Sequence, residues 1–171
     1  MRKVCAGLMV SLDGVVERPG EWSSPYFVPE MGELMGKGLA EADTVLLGRR
    51  TYLEFADLWP PQGDAHPMAA FLNNSPKYVA SSTLDKVEWS GSRLVAGDVI
   101  EAVRELKAQP GKNIQVPGSP RLVRSLLLAG VLDELSLMIF PVVLSAGMRL
   151  FDDGADRVDL ELFDSGTYSS G

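Results

Sequence analysis

The chain has 171 residues, 46% of them hydrophobic, which is enough to bury one sizeable core, and we expect a single domain over residues 1–171. A net charge of −7 argues against nucleic acid as the main partner, although a local basic pocket could still hold an anionic ligand. Cys5 is the only cysteine and His66 the only histidine, so we expect neither a disulfide framework nor a metal site. No apolar run is long enough for a membrane helix and no signal peptide is recognisable, so we expect a cytoplasmic protein that does not bind membranes.

The hydrophobic pattern alternates between strand-like and helical stretches. Apolar runs typical of strands lie at residues 3–10, 42–47, 77–81, 93–96, 113–116, 134–143 and 157–163. Helical spacing begins near Pro29 and recurs at residues 50–58, 66–72, 99–107 and 120–129, with Gly130 as the expected C-cap of the last helix. Strands interleaved with helices predict the α/β class, as a three-layer fold with a mostly parallel, mixed sheet flanked by helices. Because the run at 134–143 is almost continuously apolar, we expect it to be a central strand.

Two strand-to-helix junctions, at Gly48 and Gly118, carry the strongest functional signal. At each, an apolar run stops at a glycine and a helical pattern starts at once. Glycine lets a phosphate approach the backbone, and a helix start offers unpaired N–H groups and a positive dipole end. Such junctions are also ordinary turn chemistry in α/β proteins, but Arg49 and Arg50 oppose the dipole of the first helix unless an anion binds there. Two junctions in one domain therefore indicate a site for a dinucleotide.

Several segments resemble enzymes of one known superfamily. Residues 47–52 (LGRRTY), 79–82 (VASS) and 116–123 (VPGSPRLV) look like the cofactor-binding turns of dihydrofolate reductases. Residues 9–14 (MVSLDG), 132–135 (LDEL) and 141–144 (PVVL) look more like the reductase domain of the bifunctional riboflavin deaminase–reductase, the RibD C-terminal domain. The order and spacing of these segments over residues 1–165 resemble the dihydrofolate-reductase-like superfamily, with the riboflavin reductase domain as the closer match.

The resemblance implies NADPH as the cofactor, held by residues at three strand ends. These residues are Gly48, Arg49, Arg50, Thr51, Ser81, Ser82, Gly118 and Ser119. By analogy, the first four would meet the phosphates of the adenine half, and the serine pair would lie near the 2′-phosphate. The last two would lie under the pyrophosphate. Without the resemblance, the serine pair could equally be a polar strand exit.

The substrate side of the site is matched less closely. Asp13, within the resembling segment 9–14, is the candidate catalytic residue, although Asp-Gly is also a standard turn pair. Dihydrofolate reductases keep a carboxylate on their first helix; Glu30 and Glu33 lie near that place but match no local motif and more simply complement the helix dipole. The loop at 13–25, which carries Trp22, could close over the nicotinamide ring or could be a plain surface loop.

Three functions are consistent with these residues. The resemblance implies an NADPH-dependent oxidoreductase of a small heterocyclic or ribosylated substrate, similar to 5-amino-6-(5-phosphoribosylamino)uracil reductase in riboflavin biosynthesis. The alternatives are a dihydrofolate reductase and a non-enzymatic nucleotide-binding or dimerisation module. The residue inventory suits hydride transfer, in which the protein mainly orients the nicotinamide against its substrate, better than a catalytic triad.

We also expect a homodimer. The family pattern has a further strand after residues 165–171, where the sequence ends, so one sheet edge is expected to be open. The apolar run at 135–144 adds strand surface that a monomer would struggle to cover, and the resemblance to riboflavin reductase domains, which pair through their sheets, points the same way. The alternative is that the protein's own helices bury this run.

Overall fold

The computed structural model describes residues 1–151, 154 and 156–170, and it contains a six-stranded sheet. The strands are β1 (Val4–Ser11), β2 (Ala42–Gly48), β3 (Lys77–Ala80), β4 (Ser92–Leu94), β5 (Asn113–Pro117) and β6 (Glu134–Phe140). Their order across the sheet is β4-β3-β2-β5-β1-β6, and every strand pair among the described residues is parallel. The α/β class is confirmed. The expected antiparallel component is reduced, within the described part of the chain, to one isolated bridge between Val15 and Arg149.

Helices connect the strands, as the alternating pattern predicts. They are α1 (Pro19–Trp22), α2 (Pro29–Ala40), α3 (Arg49–Leu58), α4 (Pro67–Asn74), α5 (Val99–Ala108) and α6 (Pro120–Leu128), with 3-10 turns at Ser24–Tyr26 and Pro60–Gln62. The helices expected from residue 29 onward and at 50–58, 66–72, 99–107 and 120–129 are confirmed to within two residues at each end. Gly130 has φ 66°, the left-handed conformation of a helix C-cap glycine.

Two apolar clusters, one on each face of the sheet, make up the core. On one face α5 and α6 pack against β1 and β5, with Val103, Leu126 and Ile114 fully buried among them. On the other face α3 and α4 pack against β2 and β3 through Tyr52 and Leu72. Helix α2 contacts β2 and α4 and so belongs to the second layer. The result is the three-layer arrangement expected from the sequence.

The expectation of a central strand at 134–143 is wrong, because β6 lies at the edge of the sheet and β1 is its only partner strand among the described residues. Its apolar residues serve different surroundings: Phe140 is fully buried, whereas Leu137 is 37% exposed and Ile139 is 56% exposed. Composition alone did not distinguish a central strand from an edge strand. An edge strand that buries one face and one end also needs several apolar residues. The edge position follows from the crossover through α6, which carries the chain past β1 to the outside of the sheet.

The strand expected at residues 157–163 is not formed. The sequence alternates apolar and charged residues there, but the segment is exposed and pairs with no strand among the described residues. A strand needs a hydrogen-bonding partner as well as an alternating sequence pattern, and residues 157–163 do not pair with the outer edge of β6. No helix in the described ranges is long and apolar enough to cross a membrane.

Candidate active site

The two glycine junctions meet at a point where the direction of the chain across the sheet reverses. From β2 the chain passes through α3 to β3, on one side, whereas from β5 it passes through α6 to β6, on the other. Strands β2 and β5 are neighbours, and their carboxyl ends lie at the same edge because they are parallel. Right-handed crossovers in opposite directions place α3 and α6 on opposite faces, which opens a crevice between the strand ends. In open α/β sheets this crevice is where ligands bind.

Direct hydrogen bonds join the two junctions across this crevice. The backbone N–H of Gly48 donates to Oγ of Ser119 at 2.9 Å, and the backbone N–H of Ser119 donates to Oγ1 of Thr51 at 3.1 Å. Gly118 has φ 69°, a left-handed conformation that favours glycine, and its N–H donates to the carbonyl of Gly7 at 3.1 Å. The structure therefore brings together four of the predicted cofactor residues, from segments about 70 positions apart in sequence.

The helix starts at the crevice are open, whereas those of α4 and α5 are closed by side chains. His66 accepts a hydrogen bond from the N–H of Met68 at the start of α4, and Asp98 accepts from two N–H groups at the start of α5. Neither α3 nor α6 has such a side-chain cap. The first N–H groups of a helix have no intrahelical partner, so those of Arg49 and Arg50 in α3 and those of Arg121 and Leu122 in α6 remain available to an anion at the positive end of each dipole. Pro120, the first residue of α6, has no N–H group.

Three arginines lie in the first turns of these two helices. Arg49 and Arg50 begin α3, and Arg121 is the second residue of α6; all three are exposed. Arg50 lies 4.0 Å from the carboxylate of Glu17, while the side chains of Arg49 and Arg121 have no ion-pair partner among the residues that the structure describes. We did not select Arg121 from the sequence, although the argument made for Arg49, a cation opposing a helix dipole, applies to it equally.

The predicted serine pair follows β3, the strand next to β2. Ala80 pairs with Gly48, so Ser81 and Ser82 leave the sheet beside the start of α3. Oγ of Ser81 accepts hydrogen bonds from the N–H groups of Thr83 at 3.2 Å and Leu84 at 3.0 Å, which fixes the turn. Its hydroxyl proton is still free to donate, and Ser82 is exposed. The pair is therefore placed on the first-junction side of the crevice.

Asp13 lies at the end of β1 and is held by the structure rather than left free. One carboxylate oxygen accepts from Oγ of Ser11 at 2.7 Å and from the N–H of Leu144 at 3.1 Å, and the other accepts from the N–H of Ser145 at 2.8 Å. The bond from Ser11, followed by those from the two amides, lowers the pKa of Asp13 to about 2. Asp13 is therefore ionised at neutral pH and can orient a hydrogen-bond donor, but it has no proton to donate and is a weak base.

The loop after β1 is tied down along its first half. The N–H groups of Leu12 and Val16 donate to carbonyls in the segment 142–148, and Glu17 accepts from the N–H of Met148 at 3.0 Å. Trp22 packs edge to face on Phe140, with ring centres 5.6 Å apart. This arrangement agrees with the surface-loop alternative for residues 13–25, with Trp22 covering the core. Sequence reasoning missed Glu17, whose partner is 131 positions away.

A groove of about 960 Å³ lies between α3 and residues 83–90. Tyr52, Leu53 and Trp89 line it. Its charged lining residues leave it net acidic, although one of the carboxylates is paired with a lysine: Asp64, Asp85, and Glu88 with Lys86. None of the predicted cofactor residues lines this groove, and its charge disfavours a phosphate ligand. We therefore place the candidate site at the crevice and not in the groove. No cluster of His, Cys, Asp and Glu within residues 1–151, 154 and 156–170 could hold a metal ion.

Comparison with known proteins agrees with this geometry. A family model described as the RibD C-terminal domain matches residues 2–171. The chain belongs to the RibD C-terminal domain family. It is 32% identical over 178 residues to the uncharacterised protein YyaP of Bacillus subtilis (strain 168), covering 99% of this chain and 91% of YyaP. It is 27% identical to the uncharacterised protein YwjB of the same organism, covering 94% of this chain and 89% of YwjB.

Two solved structures show the fold. A riboflavin biosynthesis protein from Shewanella sp. PV-4 superposes with a TM-score of 0.71 at 21% identity, covering 96% of this chain and 90% of that one. Dihydrofolate reductase from Schistosoma mansoni superposes with a TM-score of 0.56 at 17% identity, covering 94% of this chain and 87% of that one. The fold is therefore dihydrofolate-reductase-like, as the sequence resemblance implied.

Proposed function

We propose that the chain is an NADPH-dependent reductase that transfers hydride to a small heterocyclic or ribosylated substrate, in the manner of riboflavin-biosynthesis reductases. The observation that carries this proposal is the meeting of two uncapped helix starts, with three first-turn arginines between them, at the reversal point of the sheet. Family membership supports the reductase class, and the fold of dihydrofolate reductase supports a dinucleotide as the ligand.

The residues present fit the phosphates of such a cofactor. A Cβ added at Gly118 would lie in ordinary contact with Thr51, 3.5 Å from its Cγ2, so glycine leaves room over the second junction that a larger side chain would fill. The free N–H groups of α3, together with Arg49 and Arg50, would hold the phosphates of the adenine half. Ser81 and Ser82 would donate to the 2′-phosphate from the adjacent strand end. When bound, the cofactor supplies the hydride.

The substrate would lie beyond the nicotinamide end of the crevice, towards the carboxyl end of β1. There Asp13 offers an ionised carboxylate held in a fixed position by three hydrogen bonds. We propose that it orients the substrate or a water molecule and does not itself donate the proton. Fixed orientation of the reacting groups supplies much of the rate in reactions that need little chemistry from the protein.

Cofactor choice tests the first half of the proposal. We expect NADPH to bind more tightly than NADH, because one well-formed charged hydrogen bond to the extra phosphate contributes about 1.5–3 kcal/mol, or roughly tenfold to a hundredfold in affinity. Titration of both cofactors, followed by intrinsic fluorescence, measures the ratio. Equal affinities would contradict the assignment of Arg49, Arg50, Ser81 and Ser82.

Turnover tests the second half. NADPH oxidation would be followed with 5-amino-6-(5-phosphoribosylamino)uracil, with dihydrofolate and with no added substrate. Oxidation with the ribosylated pyrimidine supports the proposal, and oxidation with dihydrofolate supports the alternative. In this structure Glu30 and Glu33 of α2 are exposed and Met31 is its buried residue, so no carboxylate of that helix favours the folate alternative. Tight NADPH binding with no turnover of these compounds, or of any other pterin, flavin precursor or carbonyl compound, would indicate a non-enzymatic module.

A further inference from the structure

We propose that Ser119 and Thr51 are positioning residues, whose hydrogen bonds clasp the two phosphate-binding junctions together. The proposal rests on the proposed function, and it changes the role of two residues that the sequence resemblance assigns to direct phosphate contact. In this arrangement the backbone N–H groups and the arginines of α3 and α6 meet the phosphates. The two hydroxyl groups set the spacing between them.

The clasp consists of two hydrogen bonds that run in opposite directions across the crevice. Gly48, the residue just before α3, donates its N–H to the side chain of Ser119, the residue just before α6. Ser119 donates its own N–H to the side chain of Thr51, in the first turn of α3. Each helix start is therefore fixed to the other through both a backbone and a side-chain group. Such reciprocal bonds define both distance and orientation.

Burial separates these hydroxyls from the exposed groups around them. Ser119 is 5% exposed and Thr51 is 9% exposed, whereas Arg49, Arg50 and Arg121 are exposed to solvent. Each hydroxyl oxygen already accepts one hydrogen bond from the opposite junction: that of Ser119 from the N–H of Gly48, and that of Thr51 from the N–H of Ser119. Each hydroxyl still has a proton to donate, so the low exposure of these two side chains, and not the occupied acceptor site, argues against direct contact with a phosphate. The exposed arginines and the uncapped N–H groups can be reached by a ligand without moving these side chains.

The backbone of Ser119 supports the same conclusion. Ser119 has φ 56° and ψ 53°, a left-handed conformation that serine adopts only when its surroundings require it. This conformation directs its N–H to Thr51 while its Oγ receives the N–H of Gly48. A Cβ added at Gly48 would lie 3.5 Å from Cβ and Oγ of Ser119, so the two residues are in van der Waals proximity. In this proposal, the short distance between the two junctions is what holds the backbone of Ser119 in its left-handed conformation.

A clasp has a consequence that direct contact lacks. A dinucleotide touches both junctions at once, so its affinity depends on their spacing. Adenosine 2′,5′-bisphosphate, which would reach the first junction and the serine pair alone, does not depend on it. Loosening the clasp should therefore weaken NADPH and spare the smaller ligand, because the cost is one of preorganisation across the span.

The variants are Ser119→Ala, Ser119→Gly and Thr51→Val, with Thr51→Ser as the conservative rescue. Ser119→Gly removes the hydroxyl without adding strain to the left-handed backbone, so its loss of affinity cannot come from misfolding of the turn. Ser125→Ala is the matched control, because Ser125 is an exposed serine of α6 whose hydroxyl donates to the carbonyl of Arg121, within its own helix. Affinities for NADPH and for adenosine 2′,5′-bisphosphate are measured by calorimetry on each folded variant.

For the three disrupting variants, we expect NADPH to bind about tenfold more weakly, a change of about 1.4 kcal/mol. These variants should bind adenosine 2′,5′-bisphosphate with an affinity within about twofold of that of the unchanged protein. Thr51→Ser and Ser125→Ala should bind both ligands as the unchanged protein does. The double variant Ser119→Ala/Thr51→Val should bind NADPH no more weakly than the weaker-binding of the two single variants, because both substitutions disrupt the same clasp. Loss of the bisphosphate on Thr51→Val, or additive losses of NADPH, would overturn the proposal in favour of direct contacts.

Amide hydrogen exchange in the ligand-free protein separates this proposal from the proposed function. Thr51→Val should speed exchange at the start of α6, and Ser119→Ala should speed exchange at Gly48, each across the crevice from the substitution. Exchange that changes only on the substituted side would overturn the clasp. If the unchanged protein binds no NADPH, but the two variants show these reciprocal effects on exchange, the proposed function fails and the clasp stands.

Discussion

Substitution of Gly118 tests whether the second junction lies beneath the cofactor. The residue has φ 69°, so any side chain there adopts a left-handed conformation as well as filling the space above the turn. The two effects have to be separated, because one destabilises the fold and the other blocks a ligand. Gly130 provides the separation. It has φ 66°, it caps the far end of α6, and no atom lies within 4 Å of a Cβ added to it.

The loss of folding stability caused by adding a Cβ at these two positions can be estimated from their φ angles. A residue with a Cβ in the left-handed region is disfavoured by about 1–2 kcal/mol. Around Gly118 the closest atom to an added Cβ is Cγ2 of Thr51 at 3.5 Å, which is ordinary contact, so overlap adds little to the cost of alanine. We therefore expect Gly118→Ala and Gly130→Ala to lower the free energy of unfolding equally. For a chain of this length that corresponds to a fall in Tm of about 2–8 °C.

The assay compares binding after stability has been matched. Urea unfolding should give similar losses for the two alanine variants, while NADPH titration should show weak binding for Gly118→Ala and none for Gly118→Val. Gly130→Ala should bind NADPH normally. Normal binding by a folded Gly118→Val would refute the placement of the cofactor, and equal loss of binding in both alanine variants would show that strain, not occupancy, controls affinity.

Three further predictions concern the rest of the molecule. Asp13 has a pKa below its unfolded value, so lowering the pH from about 4 to about 2 should destabilise the unchanged protein more than Asp13→Asn in acid titrations of urea stability. Burial lowers the pKa of Lys77 to about 8, so the unfolded chain binds more protons between pH 8 and 10.5; stability relative to Lys77→Met should rise across that window, and a constant difference would contradict this. The homodimer should give twice the chain mass in light scattering, and Ile139→Lys, on the exposed edge strand, should yield a folded monomer; a monomeric unchanged protein would contradict the dimer.

Local patterns sufficed for the parts of the site that are local in sequence. The positions of Gly48 and Gly118 at strand ends follow from apolar runs that stop at glycine, and α3 and α6 begin where helical spacing predicts. Their meeting needed one further element, the order of strands across the sheet. Parallel strands place every carboxyl end on one edge, so the approach of the junctions was expected, but the neighbouring positions of β2 and β5 were not specified by any residue pattern.

Residues whose roles depend on distant partners could not be predicted from the sequence. Asp13 was selected as catalytic because of its segment, yet its hydrogen bonds reach Leu144 and Ser145, more than 130 positions away. Lys77 looked like an ordinary strand residue, but it is fully buried, donates to the carbonyls of Leu72 and Ser75, and lies 4.5 Å from the ring centre of Trp89. Such roles arise when three or four segments converge, and no window of the sequence contains them.

Electrostatics explains how a strongly acidic chain could still select one edge for an anionic cofactor. The net charge of −7 repels phosphates at long range, but salt screens this repulsion over about 8–10 Å, so the local field decides binding. At the crevice, two helix dipoles and Arg49, Arg50 and Arg121 add with the same sign, and Glu17, 4.0 Å from Arg50, offsets only part of that charge. At the groove beside α3, Asp64, Asp85 and Glu88 outnumber Lys86, so its walls carry a net negative charge that opposes an anion. Charge, open helix starts and chain topology therefore favour the crevice over the groove as the place for an anionic ligand.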